Sequence, residues 1–418
     1  MEIKNDVKNS VDHLLRHNSG QMVAVLTRIF GFCLLDQIED AIQESLIKAL
    51  KTWSIKGVPE NPTAWLIQVA KNHLYDELRR ENKSVSFDDE IRETERVAEL
   101  AEKRVYFEDE ISEDQLRLIF ACCHPAIPKD SQVALTLKTV GGFNNREIAS
   151  AFLAKKTAID KILVRAKKRL KEIRDRFDIP PPDVLPSRLD AVLKVLYLLF
   201  NEGYMATEGE DLVRKDLCFE AIRLTKILAS HPVTKVPRVN ALAALFLFQA
   251  SRLAARSHDD GIPSLLSEQD RSKWDHGMIA EGLTYFRASA EGTEISEYHL
   301  EAEIACEHAV ARSFESTNWN LILDSYERLL AIRPSPIVSL NRAFALGKVQ
   351  GPEAALAELR GLLDAGMEDY YPFHLTAAEF YVQTGRNNLA AESYMKALKL
   401  TANESVKKFV KKKLERIV

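Results

Sequence analysis

Residues 141–176 read GGFNNREIASAFLAKKTAIDKILVRAKKRLKEIRDR, and the rest of the chain is organised around this stretch. It fits two helices joined by a short turn. Asn144 is placed to cap the first, with Glu147 three residues on as the second half of a capping box. Ile148, Ala149 and Phe152 give that helix an apolar face. Ala154-Lys155-Lys156 forms the turn, and Thr157, with Asp160 three residues on, is placed to cap the second helix. Ile159, Ile162, Leu163, Ala166, Leu170 and Ile173 then recur at steps of three and four, which is one face of a helix. The opposite face is basic: Lys155 to Arg176 holds ten lysines and arginines against three acids, net +7. A helix-turn-helix with a basic second helix suits the major groove of duplex DNA. The plainer alternative is a solvated helix in an all-α protein, because charge runs on helices are commonly just that.

The chain has 418 residues, enough for two to four domains, with 46% hydrophobic and 28% charged residues, as in a globular protein. The net charge of −4 means that any contact with nucleic acid must come from a local patch. Five cysteines (33, 122, 123, 218, 306), mostly in apolar helical contexts, fit reduced buried thiols in a cytoplasm better than disulfides. No apolar run approaches the length of a membrane span and the start of the chain lacks a signal-peptide pattern, so a cytoplasmic protein with no membrane contact is expected. Regular β alternation is scarce, and the fold class expected is all-α.

Upstream, Asp36–Leu50 is amphipathic. Ile38, Ile42, Leu46 and Ala49 fall on one side, and Asp36, Glu39, Asp40, Gln43 and Glu44 form an acidic, amide-rich surface. After a turn with two prolines, Asn61 and Pro62 start a helix as N-cap and first residue. Its apolar positions are 66, 69, 70, 74 and 78, with Lys71, Asn72, Asp76, Arg79 and Arg80 left outside. Residues 88–110 carry ten acids against four bases and read as an acidic linker. Cys122-Cys123-His124 looks like a metal cluster, but neighbours on a helix point about 100° apart and no second Cys/His group accompanies it, so no metal or other cofactor is expected. Ser131–Val140 is a short apolar helix under the helix-turn-helix.

Asp178–Asp183, with three consecutive prolines, reads as a stiff boundary. Beyond it, Arg188–Phe200 is apolar enough to be core. Asn201-Glu202-Gly203-Tyr204 then turns the chain. Asp216–Leu228, Val239–Ala255 and residues 268–290 follow as helices. Asp259 and Asp260 lie in a loop without the rest of a cation-binding pattern. In the last 120 residues Ala309, Ala343 and Ala378 recur at spacings of 34 and 35, and Tyr326, Leu359 and Tyr394 at 33 and 35. That near-34 period resembles tetratricopeptide repeats.

In order, these parts resemble a bacterial RNA polymerase sigma factor of the extracytoplasmic-function type, in the sigma-70 family. Asp36–Glu44 resembles the region 2 helix that docks on the polymerase clamp. Asn61–Arg80 resembles the helix that reads and opens the −10 element, and Arg146–Leu170 resembles region 4, which reads the −35 element. The resemblance implies polymerase contact through Asp36, Glu39, Asp40, Gln43 and Glu44. It implies −10 contact through Trp65, Lys71, Asn72, Asp76, Arg79 and Arg80. For the −35 element it implies Arg146, Lys155, Lys156, Thr157, Lys161, Arg165 and Lys168. Where relatives usually carry Gly-Thr before the recognition helix, this chain has Lys156-Thr157. Leu196–Tyr204 and Ile262–Asp275 look typical of a subgroup with tetratricopeptide-like carboxyl-terminal extensions. The organisation implied is region 2 over 1–87, the linker over 88–112, region 4 over 113–178, a helical extension domain over 187–290 and repeats over 291–418. The partners implied are the polymerase core enzyme, promoter DNA, and an intramolecular contact between extension and sigma regions. No catalytic constellation is found, and an enzyme is not expected. The physics is consistent: bases pulled from a duplex stack on aromatics and meet polar groups, and a basic helix meets phosphates and base edges. Two other readings are a helix-turn-helix regulator that does not use polymerase, with a repeat domain binding an effector or protein, and a repeat scaffold with no DNA role. The first leaves residues 36–80 unexplained.

Overall fold

The computed structural model describes residues 19–31, 34–82, 113–172, 183–257, 262–363 and 366–417. The acidic segment 88–112, the prolines 180–182, Cys33, Asp259 and Asp260 lie outside these. The chain forms two compact units, Met1–Leu199 with His231–Thr234, and Phe200–Ser230 with Lys235–Val418.

The first unit begins with α1 (residues 19–30), α2 (Leu35–Lys56) and α3 (Pro62–Asn82). Leu35, Ile38, Ala41, Ile42, Leu46, Ala49 and Trp53 bury one stripe of α2, and each large side chain so buried contributes about 1.5–3 kcal/mol. Gly57 stops the helix with φ 80 while its N–H bonds back to the Trp53 carbonyl. Asn61 Oδ1 accepts the Ala64 N–H at 3.0 Å and so caps α3 as the sequence suggests. Trp53 and Trp65 join the two helices with ring centroids 5.3 Å apart. Next come α4 (Asp114–Cys122), α5 (Lys129–Thr139), α6 (Asn145–Ala151) and α7 (Lys156–Glu172). Both halves of the Asn144–Glu147 capping box are present on α6. Residue 20 lies against the Val140 carbonyl so closely that only glycine fits, and Arg28 Nε lies 3.2 Å from Asp114 Oδ2. Both contacts pack α1 onto α4 and α5. Arg188, early in α8 (Leu185–Tyr204), donates to the Phe120 carbonyl at 2.9 Å.

The sequence reading of residues 201–204 as a turn is corrected: they continue α8. Gly203 has a packing role there. A Cβ on it would stand 2.8 Å from the Cys218 backbone nitrogen. Phe200 and Tyr204 stack one turn apart at 5.8 Å. The second unit continues with α9 (Lys215–Ser230), α10 (Pro237–Ala250), α11 (His276–Ser289), α12 (Glu297–Val310), α13 (Trp319–Ile332), α14 (Pro336–Gln350), α15 (Pro352–Leu363), α16 (Tyr371–Gln383), α17 (Asn387–Leu400) and α18 (Glu404–Glu415). Two expected helices are shorter than read. The one over 239–255 ends at Ala250, where Ser251 Oγ bonds back to the Phe248 carbonyl, and a 3-10 turn Leu253–Ala255 follows. The one over 268–290 starts at His276, because Asp275 caps it through the Met278 N–H, with a separate 3-10 turn Arg271–Lys273 before it.

Ala309, Ala343 and Ala378 are buried, one each on α12, α14 and α16, and Leu359 and Tyr394 are buried on α15 and α17. The 34-residue spacing thus corresponds to a helix pair, with small residues where helices approach. Gly347 extends that logic: a Cβ there would meet the Phe380 ring at 2.5 Å. Among the described residues the only sheet is a two-residue parallel pair, β1 (Glu208–Gly209) with β2 (Ala402–Asn403). Asn403 Nδ2 adds bonds to the Ala206 and Asp211 carbonyls at 3.2 and 2.8 Å. The fold is all-α apart from that clasp.

Candidate functional site

On α7, Ile159, Leu163, Ala166 and Leu170 are buried. The residues expected to meet DNA, Lys155, Lys156, Thr157, Lys161, Arg165 and Lys168, are all exposed, as is Arg146 on α6. Packing of the apolar row against α5 therefore forces the basic row outward. The turn before α7 differs from the sequence reading. The Lys155 carbonyl accepts the Ala158 and Ile159 N–H groups, so α7 starts two residues earlier than a Thr157 cap requires. Asp160 is used elsewhere: its carboxylate accepts from Asn145 Nδ2 at 2.5 Å and lies 3.7 Å from Lys156 Nζ, tying the two helices together. Leu153 turns the chain in the left-handed region at φ 49, a conformation that costs a non-glycine residue roughly 1 kcal/mol.

Lys167 breaks the pattern of its neighbours. Its ammonium turns inward and donates to Asp36 Oδ1 at 2.9 Å and Glu39 Oε2 at 2.8 Å. Burial lowers its pKa, but the bonds and charges of Glu39 and then Asp36 more than offset that, and the group sits above the usual lysine value. Two of the five acidic or amide residues expected to meet polymerase are therefore joined to the basic helix. The other three, Asp40, Gln43 and Glu44, are exposed. Ile47 (44% exposed) and Leu50 (40%) continue the same face, a feature absent from the sequence reading although steps of three and four from Gln43 and Glu44 reach both. Val164, 70% exposed between Lys161 and Arg165, was likewise missed. It is an apolar group of the kind that contacts a thymine methyl in the major groove.

On α3, Asn72, Asp76, Arg79 and Arg80 are exposed, and Lys71 and Trp65 are half-buried. Asn72 Oδ1 accepts from Gln68 Nε2 at 3.0 Å. Trp65 presents its remaining surface beside Trp53.

Cys122 and Cys123 are buried at the end of α4, and burial pushes the Cys122 thiol up to about 12, so both are inert protonated thiols at neutral pH. Among the described residues no group of three or more His, Cys, Asp or Glu is arranged to hold a metal ion, and no helix is long and apolar enough to cross a membrane.

Residues 14–84 match the sigma-70 region 2 family, which covers α1 to α3. Residues 188–290 match DUF6596, a family of unknown function. The uncharacterized protein R00370 of Rhizobium meliloti (strain 1021) is 36% identical over 402 residues, which is 95% of this chain and 93% of that protein. No solved structure matches the chain. Residues 14–84 thus form a sigma-70 region 2, which supports a sigma-70 family factor, and along nearly its whole length the chain belongs to one family with the Rhizobium meliloti protein R00370.

Proposed function

We propose that the protein is a sigma factor of the extracytoplasmic-function type that brings core RNA polymerase to specific promoters from within the cytoplasm. One observation carries this reading: a region 2 match is followed, in the same compact unit, by a helix-turn-helix on which Arg146, Lys155, Lys156, Thr157, Lys161, Arg165 and Lys168 are all exposed. Asp40, Gln43, Glu44, Ile47 and Leu50 form the polymerase-docking face. Arg79, Arg80, Asn72 and Asp76, with Lys71 and Trp65, meet the −10 element. Arg146, Lys155, Lys156, Thr157, Lys161, Arg165 and Lys168 meet the −35 element. The two elements lie roughly 80 Å apart on a duplex, at about 3.4 Å per base-pair step. The Lys167 contact to Asp36 and Glu39 therefore has to open when both are engaged, and a basic clamp surface competing for the two acids is a physical means of opening it.

The test is co-elution of the full chain with purified core polymerase. A stable complex is expected; a chain that binds duplex DNA but never core polymerase is a conventional helix-turn-helix regulator instead. The extension regulates this activity in cis. Truncation after Asp178 is expected to change promoter output at equal abundance. A second truncation after Leu199 keeps the Arg188 bond to the Phe120 carbonyl and separates lost packing from lost regulation. Unchanged output from both truncations overturns the regulatory role.

A further inference from the structure

In α18, Val406, Phe409 and Val410 are buried. Steps of three, four and seven from Phe409 reach Lys412, Lys413 and Arg416, so the apolar stripe runs on into three cations on the same side of the helix. Ile262 and Leu265, from the loop ahead of α11, pack against the apolar cluster that contains Phe409 and Val410. That loop is held by bonds of its own. The Leu265 carbonyl accepts the Glu268 N–H at 2.8 Å, and the Ser264 N–H donates to the Arg256 carbonyl at 2.8 Å. A cavity of about 220 Å³ lies between loop and helix. Its lining is apolar at Ile262, Pro263 and Phe409 and basic at Lys412, Lys413 and Arg416, with Glu268 as the one acid.

The three cations are not equivalent. Lys413 Nζ lies 3.1 Å from Glu379 and 4.0 Å from Glu268, and 5.4 Å from the centre of the Phe409 ring. Its charge is matched, and Glu379 on α16 fixes its place. Lys412 and Arg416 are exposed, and among the described residues their side chains form no ion pair or hydrogen bond. Bases in the last turn of a helix offset its macrodipole, which accounts for cations at this end of α18. The dipole amounts to roughly half a charge, so two unmatched cations beside an apolar cavity exceed what it needs.

We infer that this cavity binds a phosphate monoester of a small organic group. Charge selects the phosphate. A monoester carries about −1.5 to −2 at neutral pH, which matches Lys412 and Arg416 together, whereas a carboxylate matches one of them. The Arg416 fork suits two phosphate oxygens, and the Lys412 ammonium serves as a point charge on the third. Ile262, Pro263 and Phe409 select the organic group, because inorganic phosphate leaves that apolar surface wet. Glu268 repels a second anion, so the organic part is neutral. At about 30 Å³ per water the space equals roughly seven waters. Bonded atoms lie closer together than waters do, so that room holds a phosphate and one small ring and is too little for an oligonucleotide. The site lies wholly within the second unit, and it stands whether or not the chain proves to be a sigma factor. It gives the extension a soluble chemical signal to read.

The test titrates the full chain with phenyl phosphate by isothermal calorimetry in low-salt buffer at neutral pH, with inorganic phosphate and benzoate as comparisons. Phenyl phosphate is expected to saturate one site. It is expected to bind roughly tenfold or more tighter than inorganic phosphate, which lacks the ring, and than benzoate, which lacks the second charge. Lys412→Gln combined with Arg416→Gln is expected to fold normally and to weaken phenyl phosphate roughly tenfold or more. Lys408→Gln combined with Lys411→Gln removes as many exposed charges from the same helix outside the cavity, and is expected to leave binding nearly unchanged. Absence of saturable binding, equal affinity for either comparison anion, or equal weakening by the two double variants would each overturn the proposal. If the first double variant fails to fold, Arg416→Lys, which keeps the charge and loses the fork, takes its place. It is expected to weaken phenyl phosphate several-fold, and undiminished affinity counts against the site.

Discussion

Two cationic clusters of the chain are built on opposite plans. On α7 in the first unit, Lys155, Lys161, Arg165 and Lys168 stand in solvent because the opposite row is packed against α5. In the second unit, Arg252, Arg256 and Arg271 are turned onto aromatic rings and backbone carbonyls. Exposed cations keep their hydration and bind a polyanion by releasing its counterions, so their binding is steep in salt. Cations drawn out of water cost several kcal/mol each unless something nearby compensates. Lys167 shows what compensation looks like, with Glu39 and Asp36 both within 3 Å. Among the described residues Arg252 has no carboxylate partner, and its Nη2 donates to Gln249 Oε1. The contrast separates cations held out in solvent from cations packed into the fold.

The largest expected effect lies on the exposed cluster. Lys161→Ala combined with Arg165→Ala is expected to lower duplex affinity roughly tenfold or more at ~0.1 M salt and to reduce the slope of log affinity against log salt by about 2. Filter binding across a salt series checks this. An unchanged slope means that another face of α7 meets DNA.

The buried cluster is probed by pH. Burial and the charges of Arg252 and Arg271 depress the His308 pKa on folding, so its contribution is complete above the unfolded value of 6.5 and is lost as pH falls from there toward about 3. Lowering pH through that window is expected to destabilise the second unit by about 1 kcal/mol per unit of pH, and His308→Gln is expected to flatten the dependence. Urea unfolding at several pH values measures it. Lys167 has the opposite sign: its raised pKa keeps the α2–α7 contact intact through neutral pH and loses it only as pH climbs past the ordinary lysine value.

Paired substitutions sharpen the comparison further. Lys167→Gln removes one partner of an exchange that is still partly solvated, and the expected loss is within about 1 kcal/mol. Arg252→Gln relieves the repulsion from Arg256 and the cost of burying a charge, so its expected change is zero or a gain. Denaturant midpoints of the same sign and size for both would erase the distinction. The smallest expected stability change is for Asp40→Ala with Glu44→Ala, within about 0.5 kcal/mol because both are exposed, while affinity for core polymerase falls.

Much of the first unit was legible because its signals are local. Steps of three and four placed Ile159, Leu163, Ala166 and Leu170 in the core, and Asn144 and Glu147 spelled out a capping box. Periodicity also puts Val164 and Ile47 on the outer faces, but nothing local marks an apolar residue there as functional. The inward turn of Lys167 was hidden, because its partners lie 131 and 128 residues earlier. In the second unit the repeat spacing revealed helix pairs, and it revealed nothing of what they enclose. Gly203 read as a turn, since a glycine required by the approach of α9 looks the same in sequence as one required by a bend. Trp274, Arg252 and His308 converge from three separate segments and share no motif.

The most direct test of the whole reading is reconstituted transcription. Core polymerase alone, this protein alone, and the two combined are supplied with a broad library of promoter fragments, and transcript start sites are sequenced. Initiation confined to a defined subset of fragments, and only with both components present, is the expected result. Core polymerase starting at the same sites unaided, or no initiation anywhere when the two are combined, would contradict it.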